Sequence, residues 1–261
     1  MRVVEKRFYL RNPRAVALDL LGKLLVRIYG GKRLSGFIVE TEAYFGREDP
    51  ASRARKGGSL AKIMEGDVGV ALVYGIHRQW LLNVVAHEEG GVGAVLIRAI
   101  EPFEGIGTMM KLRGVSDLRN LTNGPGRLTK AMAIDKRFNK YPLYLSDGVL
   151  RIEYGIEVPK EHICSSYRVG VSKDLPEKLR FYVRNSTFVS KKVAFENSWW
   201  ARGDLNPRPP GYDSRTAPSV FSRDAVCRAL YRAELRALRL LFRFTLLFFK
   251  RFFHFIWKRM L

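Results

Sequence analysis

The residues best placed to do chemistry lie in one short run, Val39-Glu40-Thr41-Glu42-Ala43-Tyr44. Across RLSGFIVETEAYF the alternation is that of a strand, with Ile38, Glu40, Glu42 and Tyr44 on one face and Phe37, Val39, Thr41 and Ala43 on the other. The second face is apolar and expected in a core, while the first presents two carboxylates and a phenol. A carboxylate so placed can take a proton from water as that water attacks an electrophile. Judged on the strand pattern alone, a plainer assignment of Glu42 comes first: a solvated strand carboxylate, or a partner for one of many arginines. Glu40 shares the face and can couple its titration to that of Glu42.

Other elements must position this strand. Asn12-Pro13 has the form of an N-cap followed by proline at the first helical position, and AVALDLLGKLLVRI (residues 15–28) then repeats apolar residues at helical spacing. A Gly30-Gly31 turn leads into the carboxylate strand. Residues 49–66, with Arg53, Arg55, Lys56 and Lys62 around Gly57-Gly58, read as an exposed basic loop with one helical turn at most, able to track a phosphate backbone. VGVALVY and WLLNVVAH, joined through residues 75–79, signal a hairpin with Tyr74 at or beside its tip. GAVLIRAIE predicts a strand, EPFEGIGTMMKLR a helix, and TNGPGRLTKAMAID a Gly/Pro turn feeding another helix, with short strands at VLRIEY, YRVGV and LRFYVR. Strands and helices intersperse irregularly, which favours a single mixed α+β domain over a βαβ repeat.

Composition sets the partners. Among 261 residues, 46 Lys+Arg against 25 Asp+Glu give a formal charge of +21. Such a chain attracts a polyanion, nucleic acid first and an anionic membrane surface second. Cys164 and Cys227 are far apart, without CxxC or Cys/His clusters, so free thiols in a reducing compartment are expected and no metal site is. The opening MRVVEKRFYLRNPRAV has no continuous apolar run, so a cytoplasmic protein is expected, nucleoid-associated in a prokaryote. At Ser198 the character changes to a Pro/Arg-rich stretch and then a cationic, partly amphipathic one. Residues 198–261 hold 13 Lys/Arg and 4 Asp/Glu, leaving 33 and 21 in the body, which is basic by itself. The tail's uncharged stretches fall short of the roughly 20 apolar residues that span a bilayer. The expected division is a domain over 1–197 and a poorly ordered tail over 198–261.

Several unrelated strings, in order, carry a resemblance: LLGKLLVR from Leu20, VETEAY from Val39, the run from Asn83 through LIRAIEP, TNGPGRLTKAMAID from Thr122, and RVGV and LRFYVR between Arg168 and Arg184. Together they resemble the alkyladenine (3-methyladenine) DNA glycosylase family over roughly residues 8–197. The resemblance implies a monofunctional enzyme that flips an alkylated purine out of double-stranded DNA and hydrolyses its N-glycosidic bond with a carboxylate-activated water. It implies no cofactor or metal, a monomer, and a curved, mostly antiparallel sheet flanked by helices with a protruding, DNA-inserting hairpin. By resemblance Glu42 is the general base and Tyr44 stacks on the flipped base. Tyr74 is the wedge that fills the vacated space, Arg98 lies near the phosphate of the flipped nucleotide, and Asn83 is a pocket amide. Gly124 and Arg127 in the GPGRL turn, with Lys56, lie near DNA. Alone, Tyr74 is an ordinary strand tyrosine, Arg98 is normally a solvated rim charge and Asn83 is more often a structural amide, while the GPGRL turn is equally a plain helix entry.

Three departures stand out. Arg53 takes the place of a family histidine in an EDPAS-like string and is expected to face a phosphate. Ala71 replaces a second stacking tyrosine, and Arg78-Gln79 lengthen the hairpin. These changes predict a preference for alkylated purines over hypoxanthine, through loss of an aromatic wall. Two other readings compete: a non-catalytic damaged-DNA binding protein that retains the fold, and a cationic membrane-surface protein driven by the tail.

Overall fold

The structure, a computed structural model, describes residues 2–191. Its axis is a 13-residue strand, β2 (Lys32–Tyr44), long enough to serve two neighbours along one edge. On that edge β1 (Leu24–Tyr29) pairs with residues 32–37 and β8 (Arg180–Val183) with residues 40–42. The other edge is filled along its length by β5 (Ala94–Glu104). Where the partner changes, the register with β5 slips between Ile38 and Glu40, leaving Val39 without an opposite residue. An extra residue there bends the strand locally. The hairpin of β3 (Ala71–Ile76) and β4 (Gln79–Val85) adds outside β5, β6 (Leu150–Glu153) adds outside β1, and β7 (Ile163–Ser166) outside β8. All these pairings are antiparallel, and four α-helices pack with the eight strands among the described residues. The expected mixed α+β domain, mostly antiparallel, is the observed one.

The first helix, α1 (Pro13–Asp19), starts as expected: Asn12 Oδ1 accepts the Arg14 N–H at 3.0 Å and Pro13 occupies the first position. It ends nine residues earlier than the apolar spacing predicts, because Leu24 to Ile28 belong to β1. Gly22 marks the break, with φ of 80° and the place of a Cβ only 2.3 Å from the Ile156 carbonyl oxygen. The run LLVRIY fits either period, and two edges of ladder hydrogen bonds, to β2 and β6, decide for strand.

Four further expectations are corrected. The basic segment after Asp49 is not an open loop: Ser52 Oγ caps a 3-10 turn (Arg53–Lys56) by accepting the Ala54 N–H at 3.1 Å, and α2 (Gly58–Met64) follows. Ala54, Ala61, Ile63 and Met64 bury against Leu72, Val85 and Ala94 of the sheet. The alternation of small and apolar residues among the lysines is what buries this arm. EPFE continues β5 rather than opening a helix, with Pro102 opposite Gly36, and α3 (Ile106–Arg113) starts only after Gly105 turns left-handed at φ 71°. YRVGV is a loop; the strand lies just before it, in β7. Finally, the hairpin turns on two residues, His77 and Arg78, at φ 48° and 61°, tighter than the five-residue connection expected.

β4 pairs with β5 only from Asn83 to Val85, so the rest of the hairpin extends past the sheet. Its far side rests on α4 (Pro125–Ala131), where Thr129 Oγ1 donates to the Trp80 carbonyl at 2.9 Å. No helix among the described residues is long and apolar enough to cross a membrane. The tail over 198–261 and Cys227 lie outside the described residues; Cys164 is a free thiol.

Candidate active site

Strand alternation fixes which side of β2 the carboxylates occupy. Thr41 turns toward α1, donating from Oγ1 to the Ala17 carbonyl at 2.8 Å, so Glu40, Glu42 and Tyr44 project from the opposite face. That face is not solvated as the pattern alone suggested. Glu40 and Glu42 are both fully buried, beneath the loop carrying Arg168 and the strands beside it. Register places Glu42 in a row across the sheet: Arg180 on β8, Glu42 on β2, Leu96 on β5, Asn83 on β4 and Leu72 on β3.

Three donors hold the Glu42 carboxylate. Oε2 accepts the Tyr44 hydroxyl at 2.8 Å and an Arg98 Nη1–H at 3.1 Å, and Oε1 accepts the Val169 N–H at 2.7 Å. Burial pushes the Glu42 carboxyl above the ordinary carboxylate range; Arg98, the Val169 amide and the Tyr44 hydroxyl pull it back, while neighbouring Glu40 pushes it further up. The outcome is a carboxylate more basic than one in water, held in a single orientation, which are the properties a general base needs.

Glu40 is bound more heavily still. It accepts Nε–H groups from Arg98 at 2.9 Å and Arg180 at 2.7 Å, the Ser190 N–H at 2.6 Å and the Ser190 hydroxyl at 2.8 Å. Arg98 completes its donors with Nη2 to Ser190 Oγ at 3.2 Å. A burial this deep is tolerable because two arginines meet two glutamates and nearly every polar atom has a partner.

A second buried cluster fixes Tyr44. Arg168 forks onto Asp49 at 2.6 and 2.7 Å, donates to the Ala43 carbonyl at 2.9 Å and reaches Asp174 at 2.6 Å. Its guanidinium also lies over the Tyr44 ring, 4.5 Å from the centroid. Burial, and then the adjacent Glu42 carboxylate, drive the Tyr44 hydroxyl well above its usual pKa, so it stays a donor. Arg168 thereby ties the loop whose next residue supplies the Val169 amide to the strand that carries Glu42.

The remaining expected residues divide into those the fold brings to Glu42 and those it does not. Tyr74 lies two ladder positions inside the hairpin turn and packs with Tyr44 and Leu60 against the core beneath α2, half-buried rather than at the tip. Arg53 sits over its ring at 5.1 Å, so here it stacks on an aromatic surface instead of pointing at a phosphate position. Asn83 is buried on the row that holds Glu42, and its amide donates to the Leu72 carbonyl at 3.0 Å. Arg98 reaches the site but is engaged by carboxylates rather than presented to a phosphate. Ala71 is buried one position off this face, opposite Val84, so alternation turns it away from Glu42 and the expected gap in an aromatic wall has no geometric support here. Gly124 is buried at the N-cap of α4, and exposed Arg127 in its first turn bonds Asn120 and Asn123 at 2.9 and 2.6 Å; Lys56 is exposed, and neither Gly124, Arg127 nor Lys56 bonds Glu42.

Arg168, Arg180, Ser190, Asp49 and Val169 were not singled out from the sequence. The strings containing Arg168, Val169 and Arg180 were visible, but no local spacing shows that residues 125 to 150 positions distant will close on a strand. Among the described residues no group of three or more His, Cys, Asp or Glu is arranged to hold a metal ion.

Known proteins share this arrangement of sequence. Residues 7–187 match the methylpurine-DNA glycosylase family. A protein of Aeropyrum pernix described as "Putative 3-methyladenine DNA glycosylase" is 45% identical over 192 residues, 73% of this chain and 94% of its own. Proteins with the same description from Carboxydothermus hydrogenoformans and Gloeobacter violaceus are 42% and 41% identical, over 73% and 71% of this chain and 100% and 86% of theirs. The match takes in the carboxylate strand, the hairpin and the Arg168 loop, and on that extent the chain belongs to the methylpurine-DNA glycosylase family.

Proposed function

We propose that this protein is a base-excision repair glycosylase that removes alkylated purines from duplex DNA by hydrolysis, with Glu42 as the general base. The observation that carries the reading is the state of Glu42: fully buried, oriented by three donors, and more basic than a free carboxylate. Glu42 takes a proton from water as its oxygen bonds to the anomeric carbon; the N-glycosidic bond breaks and its electron pair leaves with the purine. Alkylation places positive charge on the purine, so the departing base accepts that pair without prior protonation. No amine nucleophile is needed for this step.

Access requires the purine to leave the helix, since a carboxylate buried beneath a loop cannot approach a stacked base. Tyr74, on the hairpin that extends past β5, is the side chain suited to occupy the vacated space, and Tyr44 offers the aromatic face beside Glu42. The basic rim of Lys56, Lys62 and Arg127, in a body that is itself cationic, supplies phosphate contacts. The test is release of free base from duplexes that each carry one defined lesion. Release of 3-methyladenine or 7-methylguanine, with none from an undamaged duplex, is the expected result; tight duplex binding with no base released from any lesion would favour a non-catalytic binder.

A further inference from the structure

The buried cluster contains one carboxylate that proton abstraction does not use. Glu40 lies at full burial two residues from Glu42 and spends both oxygens on four donors, all within 2.9 Å. Its neighbour Arg98 stands between two claims: Nε faces Glu40 and Nη1 faces Glu42. The second arginine, Arg180, is opposite Glu42 in the ladder, yet its Nε bends to Glu40 and its other nitrogens go to Ser166 and the Lys191 carbonyl. The hydrogen-bond pattern is therefore lopsided. Glu40 receives both arginines and Glu42 receives one, shared.

We propose that Glu40 is a positioning residue for excision: it anchors Arg98 and divides that arginine's charge, so that Glu42 is oriented by Arg98 without being neutralised by it. An arginine committed wholly to Glu42 would hold it firmly but make it a weak proton acceptor. No arginine at all would leave a buried carboxylate that picks up a proton and is lost as a base. Glu40 sets the compromise. Ser190 completes it, since one hydroxyl donates to Glu40 and accepts from Arg98, locking the angle at which the guanidinium meets both acids. This inference rests on Glu42 being the base.

The groups facing Glu42 bear out the bookkeeping of charge. Tyr44 lies beside it on β2, Arg98 on β5, Arg180 opposite it on β8 and Tyr74 across the hairpin, with Arg168 behind Tyr44. Glu40 is the one other carboxylate among those acting on Glu42, and its charge raises the Glu42 pKa. Removing that charge while keeping the shape lets Arg98 act on Glu42 alone.

The experiment is single-turnover excision against pH for wild type, Glu40→Gln, Glu40→Asp and Glu42→Gln, each first checked for a cooperative melt. Glu40→Gln is expected to move the acid limb of the profile down by about one pH unit and to lower the plateau roughly 3- to 10-fold, because a weaker base stays ionised further but abstracts less well. Glu40→Asp keeps the charge and shortens the reach, so its limb stays near the wild-type pH while its plateau falls. If Glu40→Gln does not fold, Glu40→Gln/Arg180→Gln removes one charge of each sign, and its acid limb is compared with that of Arg180→Gln alone, below which it is expected to lie by about one pH unit. An unmoved or raised limb in the folded Gln variant overturns the proposal. Retained activity in Glu42→Gln overturns instead the assignment of the base, so the two failures are distinct.

Discussion

Replacing Arg168 by glutamine tests the account of how the site is held. The side chain is fully buried, as is that of its main partner Asp49, whereas Asp174 is 16% exposed at the rim. Glutamine cannot reproduce the fork, so Asp49 is left as an uncompensated charge in the interior. Breaking a buried pair from one side costs about 3–5 kcal/mol, far more than the pair itself contributes. The lost stack on Tyr44 adds about 0.5–2 kcal/mol at most, and overlaps with the first loss. For a domain of this size each kcal/mol lowers Tm by roughly 2–4 °C, so a drop of about 6–20 °C is expected. The control is Arg168→Gln/Asp49→Asn, in which neither charge remains and at least half of the loss should return. Denaturant titration of wild type, Arg168→Gln, Asp49→Asn and the double variant gives the coupling directly. Strictly additive losses, or a single-variant loss under about 1 kcal/mol, would mean that the fork is not what ties the Val169 loop to β2.

Four further outcomes follow from the same geometry. Arg98→Gln removes a charge that holds Glu42 down against burial, so excision should disappear at higher pH on acidification than in wild type, read from the acid limb of the rate profile. Burial pushes the Glu101 carboxyl up to about 7. Above the ordinary glutamate pKa the unfolded chain gains by ionising while the folded one keeps its proton to near 7, so Glu101→Gln should stabilise by roughly 1–3 kcal/mol at pH 8 and by nothing at pH 4 in chemical denaturation. Gly126 has a would-be Cβ 2.9 Å from that of Gln79 on the hairpin, so Gly126→Val must displace one against the other, costing about 1–3 kcal/mol by thermal melting and weakening excision. Tyr74→Ala should lower excision more than nonspecific duplex affinity, which phosphate contacts dominate; a base-analogue fluorescence assay with unchanged flipping would reduce Tyr74 to a packing residue.

The carboxylate strand was legible because a period of two over 13 residues leaves little choice, and so was the hairpin, whose strands flank a short polar turn. What misled was local ambiguity. LLVRIY suits helix and strand alike until β2 and β6 supply ladders on both sides, and EPFE looks like a helix start until Pro102 is seen opposite Gly36. The arm after Asp49 looked solvated because its lysines and arginines outnumber the alanines, leucine and methionine that anchor it. Within the site, spacing showed that Glu42 and Tyr44 share a face and the family resemblance pointed to their roles, but the burial of that face could not be read. That burial depends on Arg168 and Arg180, which only the tertiary fold returns to β2, and the side on which Ala71 falls depends on hairpin register.

Central to all of this is proton abstraction by Glu42, and single-turnover release of free base from a duplex carrying one 3-methyladenine or 7-methylguanine addresses it most directly. Glu42→Gln keeps the size and hydrogen-bonding reach of the side chain while removing the proton acceptor. If Glu42 is the base, the rate falls roughly 100- to 10,000-fold, with duplex affinity within a few-fold of wild type. Base release at the wild-type rate by a folded Glu42→Gln protein would contradict that assignment.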